Sequence, residues 1–375
     1  MQANYPDDAR RRLAQRYTWT IQVEGDTSMA QSDGSLPLRR PTIRDVADRA
    51  GVSKSLVSLV MRGEPMVRDD KRRRVLQVAE ELGYRPNAAA RSLSAVRSQT
   101  IGVLIADLNN PMLVDVVARA RQTLEEAGLS TLLTAVAPAS TIRGQAHIDT
   151  SAIEALRDLK VEGMLVVGSV PDRTTLATAT AGLPMVVAAA QAEGLPVDEV
   201  RNDDQLGMRL VVDYLFAHGH RSIAHLGGLG GAVAQDRLAG YRDAMRHHEL
   251  DDHIVNAEAG FTEGSGYRAT AALLRRERPV TAITAVNDLA AIGALSAVAD
   301  AGMSVPGDVA ITGYDDTFVA AIRQVSLTSV NPDSAGIGEL AARCLVRRIA
   351  DPQRPPEQHL LAPRLVTRSS SSVRN

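Results

Sequence analysis

Cysteine is nearly absent: the 375 residues contain one, Cys344. A single thiol cannot close a disulfide within the chain, and a reducing cytoplasm is the natural compartment. Cys344 itself reads as a small apolar residue inside a C-terminal helix. Aromatics are scarce too, 3% of a chain that is 45% hydrophobic, a globular composition. Nowhere do eighteen apolar residues follow one another, so no membrane partner through a spanning helix is expected. The opening MQANYPDDARRRLAQRY has no apolar core and is not a secretory signal. Enzyme signatures are also missing. GGLGG (Gly227 to Gly231) lacks the Lys-Ser/Thr and the G-x-G-x-x-G spacing of phosphate loops, and reads as a turn lining a cleft. Ser222 and Ser265 lack elbow glycines. His218 and His220, two apart in HGH, suit a strand pair better than a metal site. These absences point away from catalytic residues, a cofactor or a metal.

What is present is an uneven charge. The whole chain carries −2, but Arg39 to Arg97 holds fourteen Lys/Arg against seven Asp/Glu, so this block is +7 and the remainder −9. A basic block on an acidic protein is the electrostatic footprint of a polyanion-binding module. Within it, TIRDVADRAGVSKSLVSLVMR (Thr42 to Arg62) spaces Ile43, Val46, Ala47 and Ala50 along one helix face. Gly51 supplies a tight turn, and Ser53 can cap a second helix whose Leu56, Val57 and Val60 face inward. Two short helices with such a turn match the unit that lays a helix in the major groove. Thr42, Ser53, Lys54, Ser55, Ser58, Leu59 and Arg62 are its candidate DNA contacts. A third helix over Arg68 to Leu82 begins with Arg68, Lys71, Arg72, Arg73 and Arg74 and turns Val75, Val78, Ala79 and Leu82 inward.

ELGYRPNAAARSL (Glu81 to Leu93), after this helix-turn-helix, resembles the lactose/galactose-repressor (LacI-type) family of bacterial transcription regulators. The resemblance runs from about Pro41 to Thr367. It implies a hinge helix that folds on operator DNA, with Asn87 as its cap, Ala90 at the groove floor and Leu93 as a wedge in the minor groove. An apolar wedge of this kind unstacks a base step and kinks the duplex. A homodimer on a pseudo-palindromic operator is expected, because one headpiece reads only a few base pairs and two-fold symmetry doubles the site. Many members carry Arg where this chain has Leu59, which can make only apolar contact, for instance with a thymine methyl.

From Gln99 onward apolar strands such as TIGVLIA, GMLVVG and PMVVAAA alternate with helical stretches, one read over Thr141 to Leu159. That alternation predicts parallel sheets covered on both faces, with ligands at the carboxyl ends of the strands. The fold class is therefore α/β: an all-α headpiece plus, by resemblance, a periplasmic-binding-protein-like core of two Rossmann-like subdomains. The expected divisions are a disordered extension over 1–40, the headpiece over 41–86 and the hinge over 87–98. The first subdomain takes 99–201 and 331–351, the second 202–330 and 352–368, with a disordered tail over 369–375. Met29 reads as the start of the functional chain.

Between the subdomains the resemblance implies a site for a small-molecule effector, a sugar or nucleoside, formed by Asn109, Met112, Arg237, Phe261, Asn287 and Asp315. A bidentate donor, an amide and a carboxylate suit vicinal hydroxyls, and an aromatic covers an apolar sugar face. Read alone, Asn287 could cap a helix, Asp316 likewise, and Arg237 could pair with Asp236. Ala189 stands where the family often has an acidic residue, and Met112-Leu113 replaces a pair of phenylalanines, which leaves one wall less polar. Arg237→Ala is expected to spare operator binding while abolishing the effector response. The alternative is a periplasmic solute receptor, which shares the core fold but lacks residues like 41–93.

Overall fold

The computed structural model describes residues 41–61, 63–84, 98–135, 141–142, 145–146, 150–169, 173–192 and 194–372. The expected extension over 1–40, Arg62 and the hinge residues Asn87, Ala90 and Leu93 lie outside them. The chain divides into two compact units, Met1–Pro86 and Asn87–Asn375, taken here in turn.

The described part of the first unit is three helices: α1 (Ile43–Ala50), α2 (Lys54–Met61) and α3 (Asp69–Glu81). Thr42 starts α1 through a capping box: its backbone N–H donates to the Asp45 carboxylate at 2.7 Å, and its hydroxyl accepts from the Asp45 N–H at 3.4 Å. Gly51 ends the helix at φ 68°, where a Cβ would be strained. Ser53 Oγ accepts from the Leu56 N–H at 3.2 Å and opens α2. Val46, Ala47, Val57, Val60, Val67, Val75, Val78 and Ala79 form the core.

The second unit contains two six-stranded sheets. The first orders β2 (Ser130–Ala135), β1 (Thr100–Ile105), β5 (Gly163–Val167), β6 (Met185–Ala188), β7 (Asp198–Asn202) and β13 (Gln358–Leu361), all parallel. The second orders β9 (Val255–Ala259), β8 (Ile223–Gly228), β10 (Ala282–Ala285), β11 (Ala310–Tyr314), β12 (Thr328–Asn331) and β14 (Arg364–Val366), with only β14 antiparallel. The central strands are buried along their whole length because helices cover both faces. In the first half these are α4 (Pro111–Glu126), α5 (Ser151–Asp158), α6 (Arg173–Ala179) and α12 (Ser334–Ala350). In the second they are α7 (Asp204–Ala217), α8 (Ala232–His247), α9 (Glu263–Leu273) and α10 (Asp288–Asp300), with a short α11 (Phe318–Ala321).

Four expectations need correction. The helix read over Thr141 to Leu159 is a short ribbon, β3 (Thr141–Ile142) with β4 (Gln145–Ala146), followed by α5. The chain leaves the first half after Asn202, returns after Asn331, and crosses a third time between Leu361 and Arg364 rather than near Asp351. The reason is β13, which pairs with β7 from Gln358↔Glu199 to Leu361↔Asn202. The tail over 369–375 is ordered at its start. Ser370 and Ser371 are buried, Ser370 Oγ accepting from the Thr328 N–H at 2.9 Å and Ser371 Oγ donating to Thr328 Oγ1 at 2.6 Å. His218 and His220 are not in a strand: His218 ends α7 and His220 lies in the turn before β8.

Candidate functional sites

In the headpiece, Lys54 and Ser55 are exposed at the start of α2, and Ser58 and Leu59 are half-buried. Leu59 packs partly against the core, which leaves only part of its side chain for a partner. Thr42 and Ser53 have their hydroxyls engaged in helix caps. Lys71, Arg73 and Arg74 are exposed on α3. Arg72 donates to the Glu64 carbonyl and ties the preceding loop to that helix.

In the core, the carboxyl ends of the two sheets face a common cleft of about 130 Å³. Ala106, Asp107, Asn110, Met112, Leu113, Gly168, Ser169 and Ala189 line it from the first half. Gly230, Val233, Arg237, Phe261 and Asp315 line it from the second. Each sits where a parallel strand ends or the next helix begins, the position at which such sheets bind ligands. Gly168 is required there: at φ 88° its hypothetical Cβ would lie 2.8 Å from Leu113 Cδ1.

Arg237 is the centre of this site. It is 1% exposed, beside Asp204 at 2% and Asp315 at 3%. Its Nε donates to Asp204 Oδ1 at 2.8 Å, and its Nη1 donates to the Val286 carbonyl at 2.5 Å and to Asp315 Oδ1 at 3.2 Å. Its plane lies over the Tyr314 ring, 3.6 Å from the centroid. Burial opposes the guanidinium charge, but Asp204 and Asp315 hold its pKa above the ordinary value. Burial pushes Asp315 up to about 6, against the pull of Arg237. Behind it, burial and the Asp315 charge push Asp288 up to about 7. One cation between two carboxylates leaves no net positive charge. Nη2 of Arg237 makes no hydrogen bond to the described residues, so the cluster offers a fixed donor in a net-negative setting rather than an anion clamp.

The halves also touch across the cleft. Asn110 Nδ2 donates to Asp315 Oδ2 at 3.5 Å. On the other side Gln191 donates to Asp236, and Arg201 Nη1 lies 3.5 Å from the same carboxylate.

Arg237, Asp315, Phe261 and Met112 are thus brought to one cavity, but Asn109 and Asn287 are not among its lining residues. Asn109 is exposed, its N–H and Nδ2 donating to Asp107 Oδ1 at 2.8 and 3.2 Å, while its neighbour Asn110 caps α4 and reaches the cleft. Asn287 is the cap of α10: its Oδ1 accepts from the Ala290 N–H at 2.9 Å and its Nδ2 donates to the Phe261 carbonyl at 3.1 Å. It therefore positions the segment carrying Phe261. Arg237 pairs with Asp204, not with its neighbour Asp236. Asp204 went unnoticed because an acidic residue at a helix start normally reads as a cap. Its one distinguishing sign is a second aspartate, Asp203, that already fills the cap position.

Comparison with known proteins now bears on both units. Residues 42–87 match the model of bacterial regulatory proteins of the lacI family, and residues 212–371 match a periplasmic-binding-protein-like domain. The ribose operon repressor of Haemophilus influenzae is 31% identical over 333 residues, covering 88% of this chain and 98% of the relative. The chain belongs to the lacI family of bacterial regulatory proteins. As a member of that family it is a DNA-binding transcriptional regulator and not an enzyme. Among solved structures, the lac repressor dimer bound to operator and an anti-inducer is 26% identical with a TM-score of 0.76, covering 89% of this chain and all of that one. A complex of the regulator CelR with cellobiose is 29% identical with a TM-score of 0.64, covering 88% of this chain and all of that one. No helix among the described residues is long and apolar enough to cross a membrane.

Proposed function

We propose that this regulator is a cytoplasmic repressor that binds a pseudo-palindromic operator as a homodimer, and that a small neutral polyhydroxylated molecule in the core cleft sets its operator affinity. The headpiece is the DNA-binding part, with Lys54, Ser55, Ser58, Leu59 and Arg62 as base-side contacts and Asn87, Ala90 and Leu93 as hinge contacts. Ligand-bound relatives support the chemistry: one solved neighbour holds cellobiose and another ribose.

The observation that carries the ligand reading is the Arg237–Asp204–Asp315 cluster at the mouth of both sheets. Its donors and acceptors are fixed before the ligand arrives, which suits hydroxyls, and its one cation is outnumbered by two carboxylates, which disfavours phosphates and carboxylates. Asn110, Asp107 and Ser169 add polar groups opposite, while Phe261, Met112 and Leu113 supply apolar cover.

The test is a thermal-shift panel on the whole protein with neutral sugars, nucleosides and their phosphorylated forms. Stabilisation by one neutral class, lost in its phosphate ester, is expected. Stabilisation by anions alone would contradict the proposal. DNA binding is tested by salt: if a dimer contacts six to ten phosphates, affinity falls by about 10³–10⁵ between 50 and 200 mM.

A further inference from the structure

Three consecutive residues at the end of β11 reach the cleft and the strand ends at two of the three chain crossings. Tyr314 OH accepts from Asn202 Nδ2 at 2.7 Å, and Asn202 is the last residue of β7 before the first crossing. Asp315 faces the cleft and Arg237. Asp316 turns the other way: its Oδ2 accepts from Asn331 Nδ2 at 2.8 Å and its Oδ1 accepts from Arg368 Nη2 at 2.7 Å. Asn331 ends β12 at the second crossing, and Arg368 follows β14 at the end away from the third.

The backbone here is held in an unusual form. Asp315 has φ 104° and Asp316 φ 47°, two adjacent non-glycine residues in left-handed territory. Such a pair persists only where surroundings enforce it. The second crossing has the same character. Asp333 has φ 60°, its N–H donates to Asn331 Oδ1 at 2.8 Å, and its own carboxylate caps α12 by accepting from the Gly336 N–H at 3.1 Å. One asparagine side chain therefore holds Asp316, next to the cleft, and Asp333, where the chain enters the first half.

We infer that Asp316 and Asn331 are positioning residues that carry the state of the cleft at Asp315 to the backbone of the second crossing, and so set the angle between the two halves. A ligand that draws on Asp315 shifts a strained turn whose other side chain is fastened to the crossing. This rests on the cleft being the effector site.

The test needs neither ligand nor operator. Cysteines placed at exposed Ala181 and Ala301, one in each half, are spin-labelled in the full chain diluted with unlabelled protein; Cys344 is buried and stays unlabelled. Asp315→Asn, of equal size but without charge beside Arg237, stands in for a change in the cleft. It is expected to shift the mean inter-label distance in the parent chain and to leave it where it is in an Asn331→Ala background. The exchange Asp316→Asn with Asn331→Asp restores the donor and acceptor in reverse and should restore the response. If the Asp315→Asn and Asn331→Ala shifts add, or the exchange fails to restore coupling in a chain with unchanged melting temperature, the relay is wrong. If the relay behaves as expected while no small molecule stabilises the protein, the effector reading falls and the relay stands.

Discussion

Laid side by side, the two halves of the core run their strands in the same order, yet their cleft walls differ. β5 and β6 of the first half lead to Gly168 and Ala189, and α4 brings Met112 and Leu113 to the cavity. β11 of the second half leads to Asp315, and α8 brings Arg237, backed by Asp204 from α7. The second half also hides His225 under the same sheet, its Nδ1 2.9 Å from Thr284 Oγ1 and its Nε2 without a partner among the described residues. One fold has thus been used as a charged, preorganised anchor on one side and an apolar cover on the other. A ligand bound first by the anchor can be closed upon by a wall whose only charged lining residue is Asp107.

Removing the anchor should have the largest effect. Arg237→Ala leaves Asp204 and Asp315 buried without their cation, which costs about 3–5 kcal/mol. Urea unfolding should show that loss, whereas Met112→Ala on the opposite wall should cost nearer about 2 kcal/mol. Equal losses on the two walls would erase the distinction. The guanidinium is therefore a structural part of the second half as well as a ligand donor. Arg237→Ala is therefore expected to lower stability as well as ligand binding. Phe261→Ala is the cleaner test of ligand contact.

Acidity should separate the halves next. Burial, aided by Arg237, lowers the His225 pKa to about 3. Its stabilising contribution is present above its ordinary value near 6.5 and is lost as pH falls from there toward 3. Asp288 behaves oppositely: its pKa is raised to about 7, so its contribution is present below about 4 and is lost as pH rises through 7. Melting curves of Asp288→Asn relative to the parent should become more favourable from pH 5 to pH 8, and His225→Gln should flatten the parent's decline below pH 6.5. In the first half Asp198 is buried, but its hydrogen bonds from Arg348 hold its pKa below the ordinary value, so it adds no slope in that range. A variant pair with parallel pH profiles would show that these groups do not titrate as described.

The smallest effect concerns Ala189. It sits at φ 56°, a left-handed position that favours glycine, asparagine or aspartate over alanine. Ala189→Gly should stabilise the first half by about 1 kcal/mol in the same unfolding assay. A loss of stability would mean that its methyl packing outweighs the strain.

Much of this was legible beforehand, and the exceptions have physical causes. The headpiece helices and the apolar strands carry strong local patterns, whereas the cleft residues Arg237 and Asp315 are legible only through the resemblance to the family. The third crossing has no such pattern, because QHLL in β13 lies at a sheet edge, half exposed, and shows no buried run. The serine tail reads as disordered by composition, yet its hydroxyls complete hydrogen bonds to Thr328 and Ile311 that no composition reveals. Asn109 and Asn110 are adjacent and chemically identical in sequence. Only the start of α4 decides that Asn110, its cap, turns to the cleft while Asn109 bonds to Asp107. Asn287 illustrates the reverse: a residue type fit for hydroxyls is spent on a helix cap.

The central claim is that ligand in the cleft and operator at the headpieces are thermodynamically coupled. The direct measurement is calorimetric titration of the whole protein with a neutral sugar or nucleoside that stabilises it, with and without a duplex selected on the protein. The account predicts that the duplex changes the ligand Kd, that the ligand changes the duplex Kd by the same factor, and that Phe261→Ala weakens ligand binding while leaving duplex affinity in place. A ligand Kd that is the same with and without the duplex would contradict it.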